Sequence, residues 1–145
     1  SEATDPEAIN KLKNLWESCG MMVEIMDAAH HDHVLAITSH LPQLISYTIV
    51  GTVTDLEDDL KSEVTKFAAG GLRDFTRIAA SDPTMWRDVF LNNDEAVLEM
   101  LQRFNDDLTY IQNAIRHRQG AKLFNLFKKT GEIRRSIVDI GQASD

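Results

Sequence analysis

The sequence predicts an all-α fold, and three observations carry this prediction. Apolar residues recur at intervals of three and four through most of the 145 residues, which is the period of a helix with one buried face. Asp5-Pro6 and Asp82-Pro83 each combine a capping carboxylate with a proline at the first helical position. The chain contains only three prolines, so few helices need to be interrupted. Its length is enough for one substantial core.

Residues 1–26 predict one helix and one strand. The helix should begin at Pro6 and run to about Ser18, with Gly20 ending it. Residues 21–26 form a short apolar run directly after that glycine, which favours a strand. A lone strand leaves its backbone groups unpaired. It therefore either pairs with another chain or belongs to a sheet outside this sequence.

The middle of the chain predicts helices of decreasing length. A long helix is expected over 28–54, with a kink at Pro42, because proline removes one backbone donor. Residues 55–66 are acidic and predict a shorter helix. Gly70-Gly71 should break the chain, and a short helix should follow over 73–80. The Asp82-Pro83 step then begins a further helix.

The most regular segment begins at Asn93 and should end at Gly120. Its apolar residues follow a heptad spacing, which favours a close contact between two helices. These residues are Val97, Leu101, Phe104, Leu108, Ile111 and Ile115. A last helix should carry Leu123, Phe127, Ile133, Ile137 and Ile140. We expect a homodimer built on the segment from Asn93 to Arg118, because a monomer would expose this apolar stripe.

Composition excludes several classes of protein. A net charge of −8 argues against a nucleic-acid binder, which needs a concentrated basic face. The apolar runs are shorter than the roughly 20 residues that span a bilayer, so no membrane partner is expected. The N-terminus is polar and acidic, unlike a secretory signal. The single Cys19 excludes an internal disulfide framework and indicates a cytoplasmic location.

Two groups of polar residues are candidates for a site. The first is the histidine cluster His30, His31 and His33, with His40 beyond it. No two of these histidines are spaced as metal ligands on one helix face with a third ligand beside them. A polar helix start or a pocket lining therefore explains the cluster better than a metal site does. The second group is Arg73 and Arg77, one helical turn apart.

Arg77 lies among apolar neighbours that would partly desolvate its guanidinium, so it needs an anionic partner. That partner is either an acidic residue of this chain or a carboxylate of a ligand. Trp86 either walls the same pocket or belongs to the core. The chain has no nucleotide-binding fingerprint and no nucleophile–base pair. The residues alone therefore indicate a helical dimer with a candidate anion pocket.

Several segments together resemble the prephenate/arogenate dehydrogenase family of tyrosine biosynthesis. They are Trp16-Glu17-Ser18-Cys19-Gly20, His31-Asp32, Ser39-His40-Leu41-Pro42, Gly70-Gly71-Leu72-Arg73-Asp74-Phe75-Thr76-Arg77-Ile78-Ala79 and Met85-Trp86-Arg87-Asp88. The resemblance covers most of residues 5–120, in order. It implies that residues 1–26 are the last helix and strand of a truncated, Rossmann-like NAD(P)-binding domain. Residues 27–145 would then be a helical dimerisation and substrate-binding domain.

The resemblance also implies an activity for the intact enzyme. NAD or NADP takes a hydride from prephenate or arogenate, and the ring carboxylate leaves as carbon dioxide. The catalytic histidine belongs to the domain absent here, so this chain alone would have no catalytic residue and would bind no cofactor and no metal. We therefore expect this chain by itself to be inactive.

The resemblance assigns roles to particular residues. Arg77 would bind a substrate carboxylate, and Arg73 and Asp74 would form a gate or an interface ion network. The other substrate-binding residues implied are Gln43, Trp86, Gly70, His40, Ser39 and His31. Gln43 stands where the family often has a histidine. A glutamine offers only neutral hydrogen bonds, so the choice between prephenate and arogenate stays open.

Two other functions compete with the dehydrogenase reading. The heptad segment and the lack of a cofactor motif also suit a non-catalytic helical regulatory or interaction module. The histidine cluster suits a metal-dependent helical enzyme. A glycine-rich dinucleotide fingerprint encoded upstream of this sequence would separate the dehydrogenase from the regulatory module, and metal analysis would test the third reading.

Overall fold

A computed structural model describes residues 4–54, 63, 66 and 70–139, and every regular element in them is a helix. The all-α prediction is confirmed. The elements are α1 (Pro6–Ser18), α2 (Ala28–Leu35), a π-helical turn (Ala36–His40), α3 (Leu41–Thr54), α4 (Gly70–Thr76), a 3-10 turn (Arg77–Ala80), α5 (Pro83–Asn92), α6 (Asp94–Arg116) and α7 (Gly120–Asp139). The acidic helix expected over 55–66 lies outside the described residues, apart from Glu63 and Lys66.

Helix α1 begins and ends as its sequence predicts. The Asp5 carboxylate accepts a hydrogen bond from the Glu7 N–H at 2.9 Å, and Pro6 occupies the first turn. Gly20 has a φ of +84°, and the N–H groups of Gly20 and Met21 return to the carbonyls of Glu17 and Trp16. This pairing closes the helix end in the manner of a Schellman motif.

The strand predicted over residues 21–26 is wrong, because residues 21–27 have no regular secondary structure. A strand is held by hydrogen bonds to a neighbouring strand, and no described residue provides one. Four apolar side chains of this segment are exposed, and Val23 is half-buried; the exposed four are Met21, Met22, Ile25 and Met26. The boundary proposed between residues 26 and 27 stays a prediction.

The long helix predicted over 28–54 is present, and the kink expected at Pro42 takes the form of a π-helical turn. The Leu41 N–H bonds the carbonyl of Ala36, five residues earlier. Proline lacks an N–H, and its ring collides with the carbonyl four residues before it. Widening the turn over Ala36–His40 relieves that collision while the helix continues.

By length and composition the helix from Ala28 to Val53 could cross a membrane, contrary to what the sequence analysis expected. The core helix of a soluble protein meets the same criterion. Here Gln43 and Ser46 are buried polar residues of this helix, and both bond backbone carbonyls of the segment from Phe75 to Ser81. The helix therefore packs against protein along this face.

The helix predicted to follow Gly70-Gly71 begins earlier than expected, because both glycines lie in the first turn of α4. Residues 67–69 lie outside the described residues, so the break before this helix stays a prediction. The end predicted at Gly120 for the segment from Asn93 is wrong. Gly120 begins α7, and α6 has already ended at Arg116. Arg118, with a φ of +51°, takes the left-handed position that closes α6, and the Gln119 N–H returns to the carbonyl of Ala114 at 2.8 Å.

The chain divides into two compact units, Ser1–Met100 and Leu101–Asp145. In the first unit Ala36, Ala96 and Val97 form a small buried core, with Phe90 and Met100 packed against it. The π-helical turn and the start of α6 thus meet through small side chains. In the second unit, residues of α6 and α7 line one shared cleft as a helical hairpin, among them Tyr110, Ile111, Leu126 and Phe127.

Candidate functional site

His40 lies at the centre of an aromatic group. It ends the π-helical turn and is 7% exposed. Its ring meets the rings of Trp86 and Phe90 edge to face, with centroids 6.1 and 6.5 Å apart, and the centroids of Trp86 and Phe90 are 5.6 Å apart. The structure therefore brings together two residues that the sequence analysis selected, His40 and Trp86. It adds Phe90, whose spacing of four from Trp86 on one helix was the available signal.

Asn93, which lies between α5 and α6, joins this group. Its side-chain nitrogen donates to the backbone carbonyl of Asp32 at 2.9 Å and lies 3.1 Å from Nδ1 of His40. Burial lowers the pKa of His40 below its ordinary value of 6.5; the charge of Asp32 opposes this shift and that of His31 adds to it. The sequence analysis treated Asn93 only as the start of a helix.

Three polar side chains of α3, which we call the polar clamp, hold the segment from Phe75 to Ser81. Gln43 donates from Nε2 to the carbonyl of Ile78 at 2.8 Å. Ser46 donates to the carbonyl of Phe75 at 3.2 Å, and Tyr47 donates to the carbonyl of Ser81 at 3.1 Å. Because three separate carbonyls are engaged, the backbone around Arg77 is fixed to α3.

Gln43, expected to bind substrate, makes a hydrogen bond within the protein, and its role toward substrate stays a prediction. It is 2% exposed, and its amide nitrogen is committed to the Ile78 carbonyl. A buried amide that satisfies a backbone carbonyl positions the chain around it. The structure thus makes Gln43 part of the support for the Arg77 turn.

The expectation that Arg77 is desolvated by its apolar neighbours is wrong. Arg77 is exposed, and Ile78 and Ala79 are the half-buried residues of this turn. Among the residues that the structure describes, none forms an ion pair or hydrogen bond with the Arg77 side chain, so the internal salt bridge considered from the sequence is not formed within them. The guanidinium is available to an outside anion.

Arg73 and Asp74 are likewise exposed on α4, without an ion pair to any part of the chain that is described. Gly70 is exposed too. Apart from its chain neighbours and the backbone of its own helix, no described atom lies within 4 Å of the place where a side chain would begin. The aromatic group also contains one unpaired N–H group, that of Trp86. Nε1 of Trp86 is buried and finds no acceptor among the described residues.

The remaining histidines make local contacts. The exposed His31 lies 3.1 Å from the Asp32 carboxylate, and Ser39 is half-buried. His33 bonds the carbonyl of Ala29 at 2.8 Å through Nδ1 and lies 3.3 Å from the Glu99 carboxylate through Nε2. Within the described ranges, no three His, Cys, Asp or Glu side chains are grouped to hold a metal ion.

These features define a class of protein: a helical domain that presents an unpaired arginine on a fixed turn, with a buried histidine between aromatic rings. Residues 27–129 match the family model described as prephenate dehydrogenase, dimerization domain. The chain belongs to this family.

Relatives of known sequence agree with this assignment. A cyclohexadienyl dehydrogenase of Zymomonas mobilis is 39% identical over 134 residues, which cover 92% of this chain and 46% of the relative. A prephenate dehydrogenase of Bacillus subtilis is 33% identical, covering 92% of this chain and 36% of the relative. The chain therefore spans less than half the length of these two relatives.

Solved structures share the fold. A prephenate dehydrogenase of Aquifex aeolicus, in complex with hydroxyphenyl propionate and NAD+, superposes with a TM-score of 0.87 at 33% identity. An arogenate dehydrogenase of Synechocystis gives a TM-score of 0.83 at 27% identity. The matches cover 94% of this chain and 48% and 49% of those chains.

Proposed function

We propose that this chain is the dimerisation and substrate-binding part of a prephenate or arogenate dehydrogenase. The observation that carries the proposal is Arg77, an exposed guanidinium without an acidic partner in the described structure, on a turn held by the polar clamp. A guanidinium fork matches a carboxylate with two parallel hydrogen bonds. Dehydrogenases of both kinds are among the relatives of this chain.

Each group of the site has a part in this proposal. Arg77 binds a carboxylate of the substrate and thereby orients its ring. Trp86 and Phe90 offer an apolar wall against which a six-membered ring packs. His40 is a neutral donor for a substrate oxygen, with Ser39 and His31 on the same stretch of helix. Gln43 supports the turn of Arg77.

The cofactor of the intact enzyme is NAD or NADP in this proposal, and NAD+ is bound in the Aquifex relative. When bound in the intact enzyme, the cofactor would supply an acceptor for a hydride from the substrate ring. The described residues contain no glycine-rich turn between a strand and a helix that would cradle a pyrophosphate, so they do not fit this group.

A homodimer is the second part of the proposal. The family is named for dimerization, and the C-terminal helices expose Leu108, Phe124 and Phe127 by 46, 67 and 56%. Apolar surface of this kind is covered in stable proteins. Arg73 and Asp74, exposed without ion pairs to described residues, are proposed as a gate or an interface ion network, near Gly70 on α4.

A cytoplasmic location without membrane or nucleic-acid partners completes the proposal. It is supported by the exposed lone Cys19 and by the buried polar side chains on the long helix. The net charge of −8 supports the lack of a nucleic-acid partner.

Substitution of Arg77 tests the proposal in the intact dehydrogenase. Arg77→Lys keeps the charge and loses the planar fork. We expect kcat/KM for prephenate or arogenate to fall roughly 30- to 1000-fold, equivalent to about 2–4 kcal/mol, mainly through KM. The KM for the nicotinamide cofactor should stay within about twofold, since the arginine contacts only the substrate.

Arg134→Lys is the matched control, because it makes the same change at an exposed arginine of α7. Its substrate KM should equal that of the wild type. An unchanged substrate KM in Arg77→Lys would remove Arg77 from the substrate site. Complete lack of dehydrogenase activity in the intact wild-type protein, with either substrate and either cofactor, would favour the regulatory or interaction module.

A further inference from the structure

The amide of Asn93 has a fixed orientation because of its first hydrogen bond. A backbone carbonyl only accepts, so the atom 2.9 Å from the Asp32 oxygen must be the nitrogen of the Asn93 side chain. That nitrogen carries two hydrogens. One is used by Asp32, and the second is available to His40 Nδ1, which lies 3.1 Å away.

The second hydrogen of the Asn93 amide determines which ring nitrogen of His40 carries the proton. An N–H group donates only to a nitrogen that carries a free lone pair, so Nδ1 of His40 must be unprotonated. In a neutral imidazole the proton then sits on Nε2. No described residue accepts a hydrogen bond from Nε2, so this donor is left for another molecule.

We propose that Asn93 is a positioning residue that fixes His40 as a neutral imidazole with its proton on Nε2, ready to donate to an oxygen of the bound substrate. The proposal rests on the proposed function for the identity of that oxygen. The tautomer itself depends only on the geometry of Asn93, Asp32 and His40.

Two further observations agree with a neutral His40. The His40 side chain is buried between the rings of Trp86 and Phe90. Burial disfavours the charged imidazolium, and the two rings provide no hydrogen-bond acceptor for it. The charged neighbours oppose each other, because Asp32 favours the protonated ring and His31 disfavours it. Burial is the largest effect, and it leaves the pKa of His40 lowered.

The tautomer is measurable directly. Long-range proton–nitrogen NMR spectra of histidine-labelled protein distinguish a protonated Nε2 from a protonated Nδ1. His40→Gln identifies the His40 signals among those of the five histidines. We expect the wild type at neutral pH to show the proton on Nε2 only. A proton on Nδ1, or a cationic ring at pH 7.5, would overturn the proposal.

Asn93→Asp reverses the hydrogen bond with almost no change in shape. A carboxylate cannot donate to Nδ1, so it should draw the proton to Nδ1 and raise the pKa of His40 by about one unit or more. Asn92→Asp is the matched control. It adds the same charge one position earlier, at an exposed amide that bonds only the carbonyl of Asp88 in its own helix. We expect the control to leave the tautomer unchanged and to shift the pKa by less than half of the shift in Asn93→Asp.

The pH profile of kcat/KM in the intact enzyme tests whether the Nε2–H group of His40 donates to the substrate. Asn93→Asp retains an Nε2 proton only while His40 is cationic, so kcat/KM should fall about tenfold at pH 8.5 and remain within about threefold of wild type at pH 6. An equal loss at both pH values would mean a structural role and would overturn the donor assignment. If Asn93→Asp does not fold, the wild-type spectrum still decides the tautomer. Because that spectrum needs no substrate, its result is independent of the Arg77 test.

Discussion

Single polar side chains connect the elements of the site, each through a backbone carbonyl. Gln43, Ser46 and Tyr47 bond three carbonyls on either side of Arg77, and Asn93 bonds the carbonyl of Asp32. A buried polar atom is costly unless it is paired, so each contact stabilises one arrangement of the two segments over others. The Arg77 side chain takes no part in holding this turn, and its guanidinium has no partner among the described residues.

Gln43→Leu should weaken both the fold and the substrate site. It keeps the approximate size of the side chain and removes the Gln43 donor from the Ile78 carbonyl, which still accepts hydrogen bonds from the N–H and hydroxyl groups of Ser81. We expect a cost of about 0.5–1.5 kcal/mol in the free energy of unfolding, the usual net contribution of one hydrogen bond. We expect the substrate KM of the intact enzyme to rise, because the turn that carries Arg77 loses one of its three anchors. The cofactor KM should not change.

Thr48→Val is the control for Gln43→Leu, since the Thr48 hydroxyl is exposed and bonds only the Leu44 carbonyl of its own helix. Urea unfolding and steady-state kinetics on both variants make the comparison. Equal stability and equal substrate KM in Gln43→Leu and wild type would disprove the supporting role of Gln43.

Part of the site was predictable at the residue scale. His40, Trp86 and Arg77 were selected from their sequence context, and the structure brings the first two into ring contact. Gln43 was selected for a different role. Its contact with Ile78, the contacts of Ser46 and Tyr47, and the role of Asn93 were missed because the partners are backbone carbonyls 29 to 61 positions away. Every residue has such a carbonyl, so no sequence pattern marks which one will be used.

At the scale of elements, local signals fixed the helix starts better than the helix ends. Asp82 accepts hydrogen bonds from the N–H groups of Thr84 and Met85, as its place before Pro83 predicted. Arg118 closes α6 without a glycine, because the turn into α7 imposes a left-handed conformation there. Two histidines of the helix that begins at Ala28 contact the region where α6 begins, one through Asn93 just before α6 and one through Glu99 within it.

The contact of His33 with Glu99 predicts a dependence of stability on pH. The hydrogen bond to the Ala29 carbonyl, followed by the interaction with Glu99, raises the pKa of His33 above its ordinary value of 6.5. The stabilisation is therefore fully present below pH 6.5 and is lost as the pH rises through the raised pKa of the folded state. His33→Gln should lower the melting temperature more at pH 5.5 than at pH 8.5.

His117→Gln is the matched control for this pH effect. His117 is an exposed histidine in the turn after α6. Its ring bonds the carbonyl of Asn113 in that helix and has no acidic partner in the described structure. Thermal unfolding of the two variants at both pH values makes the comparison. A melting temperature of His33→Gln that falls equally at pH 5.5 and 8.5 would remove the charged pair as the cause.

At the scale of the whole molecule, apolar surface is left uncovered at the C-terminal end. The heptad series of α6 is buried at its start, where Val97 is 5% exposed, and open further on, where Leu108 is 46% and Ile115 is 60% exposed. On α7, Phe124 and Phe127 are also exposed. A helical hairpin with such faces needs a partner, and a second copy of this chain is the partner we propose.

Leu108→Asp should dissociate the dimer or unfold the chain, because it places a charge within the proposed interface. Thr109→Asp, the control, makes the same charge change at the next exposed position, about 100° around the helix and off the heptad series. Light scattering gives the mass in solution, and circular dichroism gives the helix content. A folded Leu108→Asp protein with the mass of the wild type would contradict the proposed interface.

The sequence by itself determined the all-α class, the starts of α1 and α5, the long helix through Pro42 and the family. These features depend on the helical period, on caps and on proline, all of which act within a few residues. The tertiary structure alone decided that residues 21–27 are not a strand, that Arg77 is exposed and that Gln43 supports its turn. It also decided that Asn93 bonds His40. These outcomes depend on which distant groups become neighbours, because a hydrogen bond or a strand pairing exists only when its partner is brought within reach.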